Sequence, residues 1–300
     1  MSSKYLGLLS QNLPTSIQGT SLTSQDIALI HSWLKGRPAH TFRAYASEVQ
    51  RLFDYLPAHL SLNEIKLSHL QDYMELLRSK SKRTQARAQS SLQSLFSFAH
   101  RAGYLPTNPA LFLQKIPIPD HLTSRILTEE EVIKMITFEP DLRNKLILKL
   151  LYSGGLRVSE LCQLKWKDCV NQGDSATLTL FGKGGKTRTI RLKQSTFQDL
   201  LLLRKTDSFH FEDPIFQSRE EHKALNPSWV ARIVKRAGHR AGLTQSVSPH
   251  WLRHAHASHS LDRGAPIHLV KETLGHSSIA TTGKYLHAKP EDSSSLYLGI

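Results

Sequence analysis

Ser248-Pro249-His250-Trp251-Leu252-Arg253-His254 is followed by Leu274-Gly275-His276-Ser277-Ser278-Ile279-Ala280-Thr281-Thr282-Gly283-Lys284-Tyr285. A tyrosine so close behind a His-x-x-Arg cluster is placed to attack a phosphate that the cluster holds. The phenol has an ordinary pKa of about 10. Its ionisation therefore needs help from nearby positive charge.

A second stretch lies upstream. Leu146, Ile147, Leu150 and Leu151 form an apolar helical stripe that runs into Gly154-Gly155-Leu156-Arg157-Val158-Ser159-Glu160-Leu161. The glycines permit a tight turn and close approach of another chain segment. Arg157 can clamp a phosphate with its planar fork, and Glu160, three residues on, can orient it. By itself such a pair reads equally as an ordinary ion pair between helix neighbours.

Between these stretches, Ala176–Phe181 and Thr187–Leu192 are threonine-rich and alternate, with Gly182-Lys183-Gly184-Gly185 as the turn of a hairpin. Gly185-Lys186-Thr187 resembles the end of a nucleotide-binding loop. The glycine required five residues earlier is Leu180, and a strand follows where a helix is required. A nucleotide site is rejected. His250 and His254 are four apart, a spacing that can bind zinc, but no glutamate stands between them and Arg253 does. His254, His256 and His259 read as packing or supporting residues. No metal or other cofactor is expected.

The constellation is more specific than its parts. Phosphoryl transfer needs fixed positive charge around the non-bridging oxygens, a nucleophile and a proton donor for the leaving oxygen. Arg157 and Arg253 can supply the clamp. His250 and His276 can donate hydrogen bonds or move protons near neutral pH. Lys183 at the hairpin tip can protonate the departing 5′ oxygen, and Tyr285 can attack.

The order Arg157, Lys183, His250-x-x-Arg253, His276, Tyr285, with the local contexts quoted above, resembles the tyrosine recombinase (phage integrase) family in its Xer-like branch. The resemblance covers roughly residues 120–290. It implies a two-domain, C-shaped clamp on duplex DNA and a site-specific recombinase. Cleavage to a 3′-phosphotyrosine with a free 5′ hydroxyl follows, then strand exchange in a homotetramer or in a heterotetramer with a related recombinase. It also implies a bacterial, phage or plasmid source. A relaxing type IB topoisomerase-like activity is the alternative within the same chemistry. A DNA-binding replication or partition factor is the alternative outside it. Gly283 departs from the family's habit, since glycine costs about 1 kcal/mol relative to alanine inside a helix. A nucleophile segment that orders only on assembly is the expectation.

Composition agrees with a polyanionic partner. Lys plus Arg number 39 against 25 Asp plus Glu, for a net charge of +14 and a pI near 9.8. Both halves contribute, residues 1–115 holding 13 Lys/Arg against 6 Asp/Glu. With 39% hydrophobic residues the chain can build real cores. Two cysteines seven apart suggest neither a disulfide framework nor a zinc site. No run of about 18 apolar residues spans a membrane, so a cytoplasmic protein is expected.

The fold class expected is mainly α with a small antiparallel sheet or hairpin in the C-terminal domain. Residues 1–20 read as a loose lead-in. Residues 21–115 read as a helical DNA-binding domain, with helices opening near Ser24 and over Thr41–Leu56, Leu67–Leu77 and Thr84–Ala102. The alternating prolines of Ile116-Pro117-Ile118-Pro119-Asp120 mark a linker over 116–124. Residues 125–290 form the catalytic domain, opened by a capping box from Thr128 to Glu131. Residues 291–300 form a tail whose apolar end can dock on a neighbouring protomer. Arg78, Lys80, Lys82, Arg83 and Arg87, with Lys186 and Arg188 in the hairpin, are the expected contacts to the DNA backbone.

Overall fold

The structure is a computed structural model. It describes residues 22–118, 126–182, 185, 187–204, 210–219 and 223–286, leaving aside the side chains of residues 39 and 40. The lead-in, most of the catalytic-domain end of the linker, Lys183, Lys186 and the tail lie outside the described residues. The chain divides into two compact units, Met1–Asp120 and His121–Ile300.

The first unit is helical: α1 (Ser24–Leu34), α2 (Ala39–Tyr55), α3 (Leu67–Leu76) and α4 (Lys82–Arg101). The ends are set by local chemistry. Thr23 caps α1 through Asp26, whose amide donates to Thr23 Oγ1 at 3.1 Å. Ser81 caps α4 through the Thr84 amide, so this helix begins at Lys82, two residues before the expected start. Beyond its end Gly103 sits at φ +72°, the left-handed position that ends a helix. The apolar stripes meet in one core: Ile30, Trp33 and Leu34 from α1, Val49 and Leu52 from α2, Leu70 from α3, Leu92, Leu95 and Phe96 from α4. Glu48 is buried in it, held by Tyr73 Oη, which donates to its Oε1 at 2.7 Å.

The second unit begins with α5 (Glu129–Thr137), capped by Thr128 as the sequence signals: the Glu131 amide donates to Thr128 Oγ1 and the Thr128 amide to Glu131 Oε2. Then follow α6 (Leu142–Ser153), α7 (Val158–Gln163), β1 (Cys169–Asn171), β2 (Ser175–Phe181), β3 (Thr187–Lys193), α8 (Gln194–Leu201), α9 (Pro227–Arg240), α10 (Pro249–Asp262), α11 (Ile267–Leu274) and α12 (Ile279–Gly283). The strands form an antiparallel sheet in the order β1-β2-β3, with Leu178 opposite Ile190 and Leu180 opposite Arg188. The hairpin strands stand where alternation puts them. The short β1 was not expected, because three half-exposed residues carry no readable period. Leu146, Ile147, Leu148, Leu150 and Leu151 of α6 are fully buried. They share a core with the inward residues of β2 and β3 and with Leu252 and Ala255 of α10. This core fixes the ends of α6, β3 and α10 relative to one another, and the site is built there. Among the described residues no helix is long and apolar enough to cross a membrane.

Tyr73→Phe removes the donor to one oxygen of a carboxylate that is 2% exposed, the other oxygen still accepting from Arg51 Nη1. We expect a loss of about 1–3 kcal/mol, the cost of an unsatisfied buried acceptor, measured by chemical denaturation.

Candidate active site

The centre of the site is a carboxylate. Glu160, on α7, is 4% exposed. Its Oε2 accepts from the Arg157 amide at 2.7 Å and its Oε1 from Arg157 Nη1 at 2.8 Å. Arg188 of β3 closes on the same group as a fork, Nη1 to Oε1 at 2.5 Å and Nη2 to Oε2 at 2.8 Å. Two guanidiniums and one backbone amide thus share one buried acid. Burial pushes the Glu160 carboxyl up, but the hydrogen bonds from Arg188 and Arg157 outweigh it and hold the group below the usual range. The pair is not the surface contact that its i,i+3 spacing equally permits.

Arg188 occupies a different place from the one expected of a backbone contact. It stands on the same face of β3 as the buried Ile190 and Leu192. Its Nε also donates to the Thr273 carbonyl at 2.7 Å, so its fork points inward. The strand's own alternation carried this signal: Arg188 shares the parity of Ile190 and Leu192, and a charged residue at a core-facing position has a buried partner to meet.

Arg253, on α10, is 3% exposed. It donates from Nη1 to the Gly155 carbonyl at 2.5 Å and from Nη2 to the Leu274 carbonyl at 2.6 Å. Arg157 Nη2 donates to the Gly275 carbonyl at 2.9 Å. The turn after α6 and the turn after α11 are therefore tied together by arginines. Both turns are glycine turns at positive φ, +57° at Gly155 and +63° at Gly275. A Cβ at Gly155 would lie 2.8 Å from both the His256 ring and Leu274, so only glycine fits there. Burial, then the charges of Arg157 and Arg188, pull the Arg253 guanidinium down to about 9, and it stays cationic at neutral pH.

The histidines and the tyrosine complete the cluster. His250 and His254 lie one turn apart on α10, ring centroids 4.8 Å apart. His276 Nδ1 is 2.9 Å from Thr282 Oγ1. Burial, then Arg253, Arg157, Arg188 and His250, push His276 down to about 4, so it is neutral at pH 7. Tyr285 is 5% exposed and packs with Ala257, Val270 and Leu274. Its ring stacks on His276 at 6.5 Å and 14°, and its hydroxyl is 2.5 Å from His254 Nδ1. The phenol is close enough to Arg253 to raise that arginine's hold on its proton. Gly283 is the last residue of α12, where glycine costs little. Tyr285 lies beyond the helix in a turn, its amide donating to the Thr282 carbonyl at 3.0 Å.

Arg157, His250, Arg253, His276, Tyr285 and Glu160 are thus brought together within one chain, with Arg188 added. Lys183, the expected proton donor, lies outside the described residues. His254 contacts the tyrosine hydroxyl, although its sequence context reads as packing; its i+4 step from His250 was the available signal. Arg78, Lys80, Lys82, Arg83 and Arg87 form a separate exposed group at the α3–α4 turn, in the other unit. Among the described residues no group of three or more His, Cys, Asp or Glu could hold a metal ion.

The family model described as "Phage integrase family" matches residues 125–292, and that of the phage integrase N-terminal SAM-like domain matches residues 28–103. Tyrosine recombinase XerC of Thermodesulfovibrio yellowstonii is 31% identical over 270 residues, covering 84% of this chain and 87% of the relative. Among solved structures, the XerH site-specific recombinase bound to difH substrate in a pre-cleavage complex aligns with a TM-score of 0.69. It is 23% identical, over 94% of this chain and 92% of that one. A lambda integrase tetramer bound to a Holliday junction also aligns at 0.69, with 20% identity over 88% and 79%. Both share the two-domain fold. The chain belongs to the phage integrase family, as a Xer-like tyrosine recombinase. It is a site-specific recombinase, an enzyme that cleaves and rejoins DNA strands.

Glu160→Gln keeps the shape but removes the negative charge that two arginines share. We expect a loss of ~3 kcal/mol at pH 7, as for breaking a buried ion pair on one side. The native carboxyl is depressed, so its contribution is present above the unfolded value of about 4.3 and is lost as pH falls through the folded value. Denaturation curves of the two proteins at pH 7 and at acid pH check this: the gap between them closes on acidification.

Proposed function

We propose that Tyr285 is the nucleophile and that it forms a 3′-phosphotyrosine while releasing a free 5′ hydroxyl. The observation that carries the reading is the burial of the Tyr285 phenol beside Arg253, in stacking contact with His276, on the same chain. Arg157 and Arg253 bind the non-bridging oxygens and stabilise the charge that develops on them. Arg157, with a side chain 35% exposed, is the more open of the two. His250 and the neutral His276 donate hydrogen bonds to the phosphate. Lys183 gives its proton to the leaving 5′ oxygen. Glu160 orients Arg157.

The substrate is duplex DNA, held by residues 21–115 and 125–290 across a linker at 116–124. Lys82 and Arg83 stand in the first turn of α4, where no acidic residue accompanies them. Cations oppose the helix dipole at that end, and a DNA phosphate there relieves both. Arg78, Lys80, Arg87 and Lys186 extend the same electrostatic contact. Strand exchange takes place in a tetramer of this chain, or of this chain with a related recombinase. The tetrameric assembly of the lambda integrase supports the stoichiometry. The segment 291–300 docks on a neighbouring protomer in that assembly. A cytoplasmic setting fits the substrate.

The test uses a duplex recovered from a random-sequence pool by its binding to the full chain, then nicked so that cleavage cannot be reversed. Tyr285→Phe should bind this duplex as tightly as the parent and form no covalent protein–DNA adduct. Adducts that persist in the variant overturn the assignment.

A further inference from the structure

The proposed chemistry leaves one proton without a destination. A phenol must lose its proton to attack, and must regain it when the strand is rejoined. A bulk pKa of about 10 leaves only about one phenol in a thousand ionised at pH 7. The cationic cluster lowers that barrier without accepting the proton. A residue that accepts in the forward direction and donates in the reverse one is required.

Among the described residues His254 and His276 flank the tyrosine ring, and His250 lies beside His254. The His276 ring is nearly parallel to that of Tyr285, 14° apart with centroids 6.5 Å away, and its Nδ1 is engaged by Thr282 Oγ1. Burial and the neighbouring cations also hold its protonated form down to about 4, which makes it a poor base. His250 is one turn back on α10, its ring 4.8 Å from that of His254. His254 Nδ1 stands 2.5 Å from the Tyr285 hydroxyl. Among the described residues, His250 on its own helix and Tyr285 face it, His276 lies near the same tyrosine ring, and the Arg253 guanidinium is directed at the Gly155 and Leu274 carbonyls.

We infer that His254 is a further catalytic residue, the proton acceptor for Tyr285 in cleavage and its proton donor in rejoining. This rests on Tyr285 being the nucleophile. In cleavage the phenolic O–H bond breaks as oxygen bonds to phosphorus, and the proton passes to His254 Nδ1. The bond from phosphorus to the 5′ oxygen breaks, and that oxygen takes its proton from Lys183. In rejoining, the 5′ hydroxyl attacks and gives its proton back to Lys183, the tyrosine oxygen leaves, and the His254 imidazolium returns the proton to it. The two directions use the same group in opposite states, as a reversible exchange requires.

His254→Asn places an amide near the Nδ1 position. It preserves a hydrogen-bonding partner for the phenol but cannot take its proton. On the nicked duplex described above, this variant should bind like the parent. It should form adducts 100- to 10,000-fold more slowly at pH 7, a loss typical of removing a proton-transfer group. The deficit should shrink as pH rises toward the phenol's own pKa. A duplex with sulfur in place of the leaving 5′ oxygen relieves the need for a donor there, so it should not restore the variant. Adduct formation within threefold of the parent, or a loss that is the same at every pH, overturns the proposal, the second marking a positioning role only. The unaltered protein gives a check that does not depend on a variant folding. On the sulfur-bridged duplex its rate should fall as pH drops through the imidazole range near 6.5; a rate flat with pH there also overturns it. Adducts in Tyr285→Phe would instead remove the reading on which it rests.

Discussion

One buried carboxylate makes the rest of the site possible. Three arginines converge at the ends of α6, β3 and α10, and bare guanidiniums so close would repel. Glu160 takes Arg157 and Arg188 onto its two oxygens and lies near enough to Arg253 to steady its charge. A net positive surplus remains, and in the proposed reaction it is what a phosphate would meet. Without the acid the arginines would turn outward to water, as long cationic side chains ordinarily do. A surface ion pair of the same residue types is worth little. Here burial makes the pair strong and makes either partner costly to remove.

The same surplus decides what the histidines do. Burial disfavours a proton on an imidazole, and the nearby cations add to the effect, so His276 stays neutral well below physiological pH. A neutral imidazole can donate one hydrogen bond to a phosphate oxygen but is not an acid store. The phenol responds in the opposite sense, because its charged form is an anion and the arginines favour it. One field thus keeps His276 uncharged and favours the anionic form of the tyrosine.

Much of this was legible in the chain. That Arg157, His250, Arg253, His276 and Tyr285 would gather in one place was readable from residue type and spacing, since the proposed chemistry asks each for a particular functional group. The hairpin was legible because period-two alternation survives over seven residues in each strand. What could not be read has physical reasons. Strand β1 is too short to show a period. Arg188 looked like a surface cation because its partner, Glu160, is 28 residues away in sequence. Only its parity with Ile190 and Leu192 places it on the core face. His254 sits in a run of histidines that equally suits packing, and its contact to Tyr285 spans 31 residues. Gly283 reads as a flaw if Tyr285 is taken to lie within a helix. It is unremarkable once α12 ends at that residue.

The arginines are held by backbone as much as by acid. Arg253 donates to the Gly155 and Leu274 carbonyls, and Arg157 to the Gly275 carbonyl. Carbonyl oxygens fix a guanidinium in place while leaving its full charge, whereas a second carboxylate would cancel it. The acceptors must then be free of helix hydrogen bonds and able to approach closely, which only the ends of helices allow. Gly155 and Gly275 provide those ends at positive φ. At Gly155 a methyl group would already strike His256 and Leu274. The paired glycine turns therefore set how near α6 and α11 can come. That separation in turn sets whether one arginine can bridge them and remain charged for a phosphate.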